Sequence, residues 1–231
     1  YMPEGAMAAE LEELTGLFKR VTSNDWRDRS DGLKELETLV VGCPYMPEDQ
    51  LVSMFDHLVQ RLSDGNSKVN VQALSVLENI FPALGESTVC SLNTLVPAIV
   101  TNLGSTNEKI RFAANKAIDS LTHSMDSASL LQNFAHCASH GGPRTKHVML
   151  DRLALIAPDV FRMRPHLVTK YLVPTSFAML SETRGEVKTA NTRLLRSLWE
   201  VMGPTLKDQS SSLSPAMQSK LEETLRQAGL G

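Results

Sequence analysis

The sequence predicts an all-α solenoid of stacked helix pairs. Three observations carry this. The chain aligns with itself at an offset of 41 residues, its apolar residues recur three, four and seven apart, and most of its prolines fall at the ends of the segments so defined. Aromatic residues make up only 5% of the chain, and Val, Thr and Tyr form no alternating runs that would indicate strands.

The second helix of each early unit shows the offset most clearly. WRDRSDGLKELETLV begins at Trp26, SKVNVQALSVLENIF at Ser67 and EKIRFAANKAIDSLT at Glu108. Gly32, Ala73 and Ala114 then coincide, as do Leu36, Leu77 and Ile118, and Leu39, Ile80 and Leu121. The first helices obey the same shift, matching Leu14 with Phe55 and Val96, Leu17 with Leu58 and Ile99, Phe18 with Val59 and Val100, and Val21 with Leu62 and Leu103. Two helices in a period of roughly 40 to 47 residues are the HEAT or armadillo signature. Helices are expected near 9–20, 26–41, 48–62, 67–81, 92–103 and 107–122.

Later units are looser. A helix over 126–138 carries Leu130, Leu131, Phe134 and Ala135, and its partner over 144–158 carries Val148, Leu150, Leu153, Leu155 and Ile156. Helices over 165–181 and 185–203 follow, with Trp199 placed in the core beside Leu195 and Met202. A last helix, 214–228, is rich in Glu, Lys, Gln and Arg and reads as a terminal cap. Prolines 44, 47, 82, 158, 165, 204 and 215 sit at expected helix ends, whereas Pro97 and Pro174 lie within apolar runs and call for a bend or a fresh helix start. The expectation is a single domain over residues 8–229, of five helix pairs and a cap, with residues 1–7 a vector-derived or disordered lead.

Composition narrows the function. Net charge is −3, from 23 basic and 26 acidic residues, which does not indicate a nucleic-acid binder. Cys43, Cys90 and Cys137 have no paired spacing and are expected to be free thiols. No apolar run approaching ~18 residues is evident, so no membrane-spanning helix is expected. GxGxxG, Walker, HExxH and GxSxG motifs are absent, and no enzyme is expected. His136, Cys137, His140 and His147 form a loose group better read as turn and helix-end residues than as a zinc site, and no cofactor or metal is expected.

The turns within pairs are the informative part. With the first residues of each second helix, they carry Arg27, Arg29, Lys68, Lys109, Arg111, Arg144, Lys146, Arg184 and Lys188 against six acidic residues, a local excess of plus three. The opposite turns carry minus three. A cation at a helix N-terminus opposes the helix dipole, so Lys68 and Lys109, at identical repeat positions, sit where stability alone would place Asp or Glu. Trp26 shares its column with Ser67 and Glu108, a loop or first-turn position, and is read two ways: a lid over the first helix pair or an exposed binding anchor, with Asn24 or Ser23 capping the helix behind it.

SNDWRDRSDGLKEL, DGNSKV and STNEKIR resemble the first three intra-pair loops and second-helix starts of TOG domains, and GGPRTKH and RGEVK correspond more loosely to the fourth and fifth. Within that family the likeness is to the Crescerin class, in particular its C-terminal TOG domain, with the CLASP class as the nearest rival. The resemblance implies a tubulin-binding HEAT array that uses Trp26, Arg27, Arg29, Asn66, Lys68, Asn107, Lys109, Arg111, Arg144, Lys146, Arg184 and Lys188 to hold αβ-tubulin or the microtubule lattice. It further implies neighbouring TOG domains in a larger microtubule regulator, a cytoplasmic and cytoskeletal setting that includes the cilium, axoneme or basal body, and no nucleic-acid or membrane partner. The domain itself is expected to be monomeric. The chain departs from the family in lacking a full sixth pair and in the Gly-Gly-Pro start of its fourth loop. The rival reading is an armadillo or HEAT scaffold, or a transport-type adaptor, that does not bind tubulin; RNA binding would demand a larger basic excess.

Overall fold

The structure, a computed structural model, describes residues 4–230. Among these there is no β-strand. Of the expected lead, residues 1–3 lie outside the described residues and residues 4–7 begin the first helix. The chain forms two compact units that part between Met125 and Asp126.

The first unit contains three helix pairs: α1 (Glu4–Val21) with α2 (Trp26–Gly42), α3 (Glu48–Arg61) with α4 (Ser67–Leu84), and α5 (Leu92–Leu103) with α6 (Glu108–Ser124). A 3-10 segment, Gly85–Ser91, follows α4. The helix starts are written into the repeat. Asp25, Asn66 and Asn107, each 41 residues from the last, cap α2, α4 and α6 by accepting the N–H two residues on, at 2.9, 2.9 and 3.0 Å. Each such cap contributes roughly 1 kcal/mol by satisfying an orphan donor. Asp25 is thus the cap of α2, in place of the expected Asn24 or Ser23; Ser23 instead accepts from the Asp25 N–H. Gly85, at φ +50°, ends α4 in a left-handed conformation that favours glycine.

Most members of the repeat columns form the core, with Phe18, Leu39 and Val59 half-buried. Leu36, Leu77 and Ile118 are wholly buried, as are Ala73 and Ala114. Burying each large member stabilises the unit by about 1.5–3 kcal/mol. Gly32 begins the small-residue column because a Cβ there would come within 3.0 Å of the Arg20 Cβ and 3.1 Å of the Val21 nitrogen, where the end of α1 crosses α2. Successive second helices pack on one another and are joined across one repeat, for example where Asn79 donates to Glu37 at 2.8 Å and the Ser120 hydroxyl to the Glu78 carbonyl at 2.6 Å.

Within Ser67–Leu103 an 18-residue window reaches a mean hydropathy of 1.3, apolar enough by composition for a membrane span, which the reading of the sequence did not single out. Its apolarity serves the core: the stretch is broken at Gly85–Ser91, and α4 and α5 bury Val69, Leu77, Phe81, Leu95 and Ile99 among their neighbours.

The second unit begins with α7 (Ser127–His140) and α8 (Lys146–Met163). The expected helix over 165–181 is instead a composite of α9 (Pro165–Leu167), a π turn (Val168–Leu172), α10 (Val173–Ala178) and a 3-10 turn (Met179–Ser181). The wide turn falls immediately before Pro174, which brings no N–H and crowds the carbonyl four residues back, so the change of register absorbs the proline. Pro97, by contrast, sits inside α5, five residues after its start. Pro82 and Pro158 do not end their helices either; α4 and α8 run on to Leu84 and Met163.

The unit closes with α11 (Gly185–Met202), α12 (Thr205–Asp208) and α13 (Pro215–Gln227), whose Leu221 and Leu225 are buried as a cap requires. Four of the apolar residues assigned to this unit's core stripes are not buried. Val148 and Met202 are half-buried. Leu155 is 60% exposed, and Trp199 is half-buried with the Lys207 ammonium 5.3 Å from its ring centroid. Leu155 stands next to the buried Ile156 and points about 100° away from it, a rotation that apolarity alone does not reveal.

One glycine controls the turn between α7 and α8. A Cβ on Gly141 would lie 2.3 Å from the Cys137 carbonyl oxygen and 2.9 Å from the Thr145 hydroxyl, whereas nothing lies within 4 Å of one on Gly142. Gly141→Ala should therefore lower the melting temperature by several degrees and Gly142→Ala should leave it nearly unchanged. Equal melting temperatures for the two variants would contradict this packing.

Candidate functional site

The three turns of the first unit share one construction. Ser23, Asp64 and Ser105, again 41 apart, each accept from the backbone N–H of the capping residue, at 3.2, 2.9 and 3.1 Å. This small side-chain turn presents the capping residue and positions the first turn of the helix beyond it.

Arg29 and Arg111, expected to meet the partner, are turned inward. Arg29 Nη1 donates to the carbonyls of Ser23 and Asn24 at 2.8 and 3.1 Å; Arg111 Nη1 donates to those of Ser105 and Thr106 at 2.7 and 3.0 Å. Both guanidiniums hold their own turns. The middle member of the column, Asn70, is buried and donates to the Leu62 carbonyl and to Asn102.

Arg29 also reaches the second turn. Its Nε and Nη2 make a two-point bond to Asp64, at 2.9 and 3.0 Å, and Arg61 Nη1 adds a third donor at 3.1 Å. The Asp64 side chain is only 3% exposed. Burial pushes its pKa up, but hydrogen bonds from Arg29 and the Asn66 N–H, with the charges of Arg29 and Arg61, outweigh burial and hold the carboxyl below its ordinary value. In sequence Asp64 is simply one of the six acidic residues counted against the cations of these turns; the Ser23–Asp64–Ser105 column is the signal that marks it.

Three cations of these turns remain outward. Arg27, Lys68 and Lys109 occupy the second position of α2, α4 and α6 and are exposed. Trp26 is half-buried at the first position of α2, with the Arg27 guanidinium and the Lys68 ammonium each 5.1 Å from its ring centroid. Lys68 belongs to the next repeat, so the first and second turns meet over this indole. Asn66 and Asn107 are committed to capping through their side-chain oxygens. The five cations of the first unit's turns stand with Asp25, Asp28, Asp64 and Glu108, an excess of one, so charge there is more balanced than the plus three counted over all the turns within pairs implies.

In the second unit, Arg144 is exposed before α8, and Arg184 and Lys188 are exposed at the start of α11. Lys146 is not outward: its ammonium pairs with Glu182 at 2.8 Å, both side chains mostly buried. His136 and His140 stack with centroids 4.5 Å apart on the exposed face of α7, and among the described residues no three His, Cys, Asp or Glu side chains converge as metal ligands do.

The cysteines are free thiols, Cys43 and Cys90 half-buried and Cys137 buried. Burial pushes the Cys137 thiol up to about 11. At about pH 8 a thiol reagent should modify Cys43 and Cys90 while sparing Cys137, and reach all three only after denaturation. Rapid modification of all three in the native protein would contradict the buried placement.

Phe112 was missed. It is 64% exposed on α6 and, with Val71, Lys109 and Lys116, lines a shallow cleft of about 490 Å³ against α4. In the repeat its column holds Ser30 and Val71, so the period marks it as lying off the core stripe.

No protein-family model matches the chain. Over 94% of its length it is 33% identical to the human TOG array regulator of axonemal microtubules protein 1, and it spans 13% of that relative. Its backbone matches a structure of Crescerin, which uses a TOG domain array to regulate microtubules in the primary cilium, with a TM-score of 0.66 at 19% identity, covering 93% of this chain and 89% of that one. The chain has the TOG fold. A second TOG structure, from proteins whose TOG–tubulin binding specificity promotes microtubule dynamics and mitotic spindle formation, matches at 0.67 and 16% identity, covering 92% of this chain and 81% of the other. The TOG fold is a helical HEAT-repeat array, which agrees with the pairing read from the 41-residue offset. In the TOG frame, Trp26, Arg27, Lys68 and Lys109 stand on the turns that join the two helices of a repeat.

Proposed function

We propose that this chain is a tubulin-binding module of a larger microtubule regulator, holding an αβ-tubulin dimer or gripping the lattice, with no bond made or broken. The observation that carries the reading is Trp26 presented at the start of α2 beside exposed cations that recur at the same position of α2, α4 and α6. Helix dipoles disfavour cations there, whereas an acidic protein surface favours them. The likeness to an axonemal TOG-array regulator and to Crescerin supports placing the parent on the cytoskeleton of a cilium, where neighbouring TOG domains would add avidity. The contacting set is Trp26, Arg27, Lys68 and Lys109, with Arg144, Arg184 and Lys188 from the second unit; Arg29, Asn66, Asn107, Arg111 and Lys146 act as supports of their turns. A match to one solved TOG chain across 93% of the sequence supports residues 8–229 as a single domain.

The test is co-sedimentation with microtubules beside size-exclusion chromatography with free tubulin, each at low and physiological salt. Association with either form, weakening as salt rises, is expected. Absence of association with both forms at low salt would overturn the reading.

A further inference from the structure

We propose that Asp64 is a positioning residue: its buried carboxylate, through Arg29, locks the first two turns into one rigid element, so that Trp26 and Lys68 meet the partner as a preset pair. The proposal rests on the tubulin-binding reading for its consequence, but its geometry stands apart from that reading.

One guanidinium joins two turns. Arg29 spends one nitrogen on the Ser23 and Asn24 carbonyls, directly before the capping Asp25 and Trp26. Its other two nitrogens hold both oxygens of Asp64, which in turn accepts from the N–H of Asn66, the residue that caps α4 two positions before Lys68. Planar two-point bonding of this kind fixes orientation as well as distance, which a lysine could not do. Arg61 supplies a further donor, so the carboxylate is held from both α2 and α3.

The third repeat supplies an internal comparison. Ser105 stands where Asp64 stands, and Arg111 bonds only the carbonyls of its own turn. Serine is therefore sufficient for the turn itself, and the carboxylate at position 64 adds the tie between turns. That tie lies under the two turns whose side chains meet over an indole, with Lys68 5.1 Å from the Trp26 centroid. Stability alone does not call for it, because a buried ion pair often stabilises no more than apolar residues of the same volume; fixing one arrangement is its better-attested use. Binding surfaces gain affinity when their side chains are ordered beforehand.

The test uses Asp64→Ser, which keeps the turn hydrogen bond that Ser23 and Ser105 make and removes the tie. It is made in a Trp199→Phe background, so that Trp26 is the only indole of the two in the chain. Arg29→Lys, which keeps the charge and loses the fork, is the companion should Asp64→Ser fail to fold. Both are expected to increase the access of acrylamide to Trp26 in the free protein and to weaken tubulin binding about tenfold. In a Trp26→Ala background the same changes should add little further loss, since the pairing of Lys68 with the indole that the tie presets is already gone. Unchanged quenching of Trp26 in a folded variant, or an affinity loss fully additive with Trp26→Ala, would overturn the proposal and leave Asp64 as a stabilising residue only. Failure of the unmodified domain to bind tubulin would instead sink the functional reading, while the quenching measurement on free protein would still decide whether Asp64 positions Trp26.

Discussion

Replacing Trp26 by alanine should weaken tubulin binding by about 2 kcal/mol or more, roughly thirtyfold in Kd, while the protein stays folded. The indole is half-buried, and the cations on it come from Arg27 and from Lys68 of the following repeat. It does not cap α2; Asp25 does, and Asp25 is untouched by the change. The lost packing should therefore lower the melting temperature by only a few degrees. A lid would behave in the opposite way: a large fall in melting temperature, and an affinity loss that disappears when binding is measured well below it. Parallel measurement of melting temperature and tubulin affinity separates the two. A folded Trp26→Ala protein with unchanged affinity would remove Trp26 from the binding surface.

The double reversal Lys68→Glu with Lys109→Glu should have the larger effect, abolishing measurable binding at physiological salt. Both side chains are exposed at the second position of their helices. Against an acidic partner each reversal replaces attraction with like-charge repulsion, and such juxtapositions cost several kcal/mol. Lys68→Glu also takes the cation off the Trp26 ring. The same change should leave stability equal or slightly higher, because a carboxylate in the first turn interacts favourably with the helix dipole by about 0.3–1 kcal/mol. Binding lost while thermal stability holds or rises is a pair of signs that general damage to the fold does not produce. Binding retained at the unmodified level would show that these lysines serve solubility alone.

Within the first unit the periodic sequence foretold the helices closely, because a core column and a capping residue leave the same mark in every repeat. The expected helix over 107–122 is Glu108–Ser124, and the one over 26–41 is Trp26–Gly42. The columns through Leu36 and Gly32 are buried as their spacing required. Prediction weakened where local chemistry broke the period. The segment 165–181 reads as one helix until Pro174 forces a π turn, and Leu155 reads as core until its neighbour Ile156 takes the inward place. Burial is set by rotation about the helix axis, and a single apolar residue does not report that rotation.

The site divides the same way. Repetition alone marked the cations Lys68 and Lys109 and the unusual place of Trp26, since each is visible as a column or as a departure from one; Asn66 and Asn107 entered through the TOG resemblance as partner contacts, and the fold makes them helix caps. Tertiary structure decided which charges are available. Arg29 and Arg111 look like surface arginines in sequence, yet their guanidiniums close on carbonyls five or six residues back, and Lys146 is taken by Glu182 from a turn 36 residues away. Asp64 could be counted as one more acid until the fold brought Arg29 to it across 35 residues. Charge is a property of the residue and is written in the sequence, whereas whether that charge faces a partner depends on which buried polar groups must be satisfied around it, and only the folded chain brings those groups together.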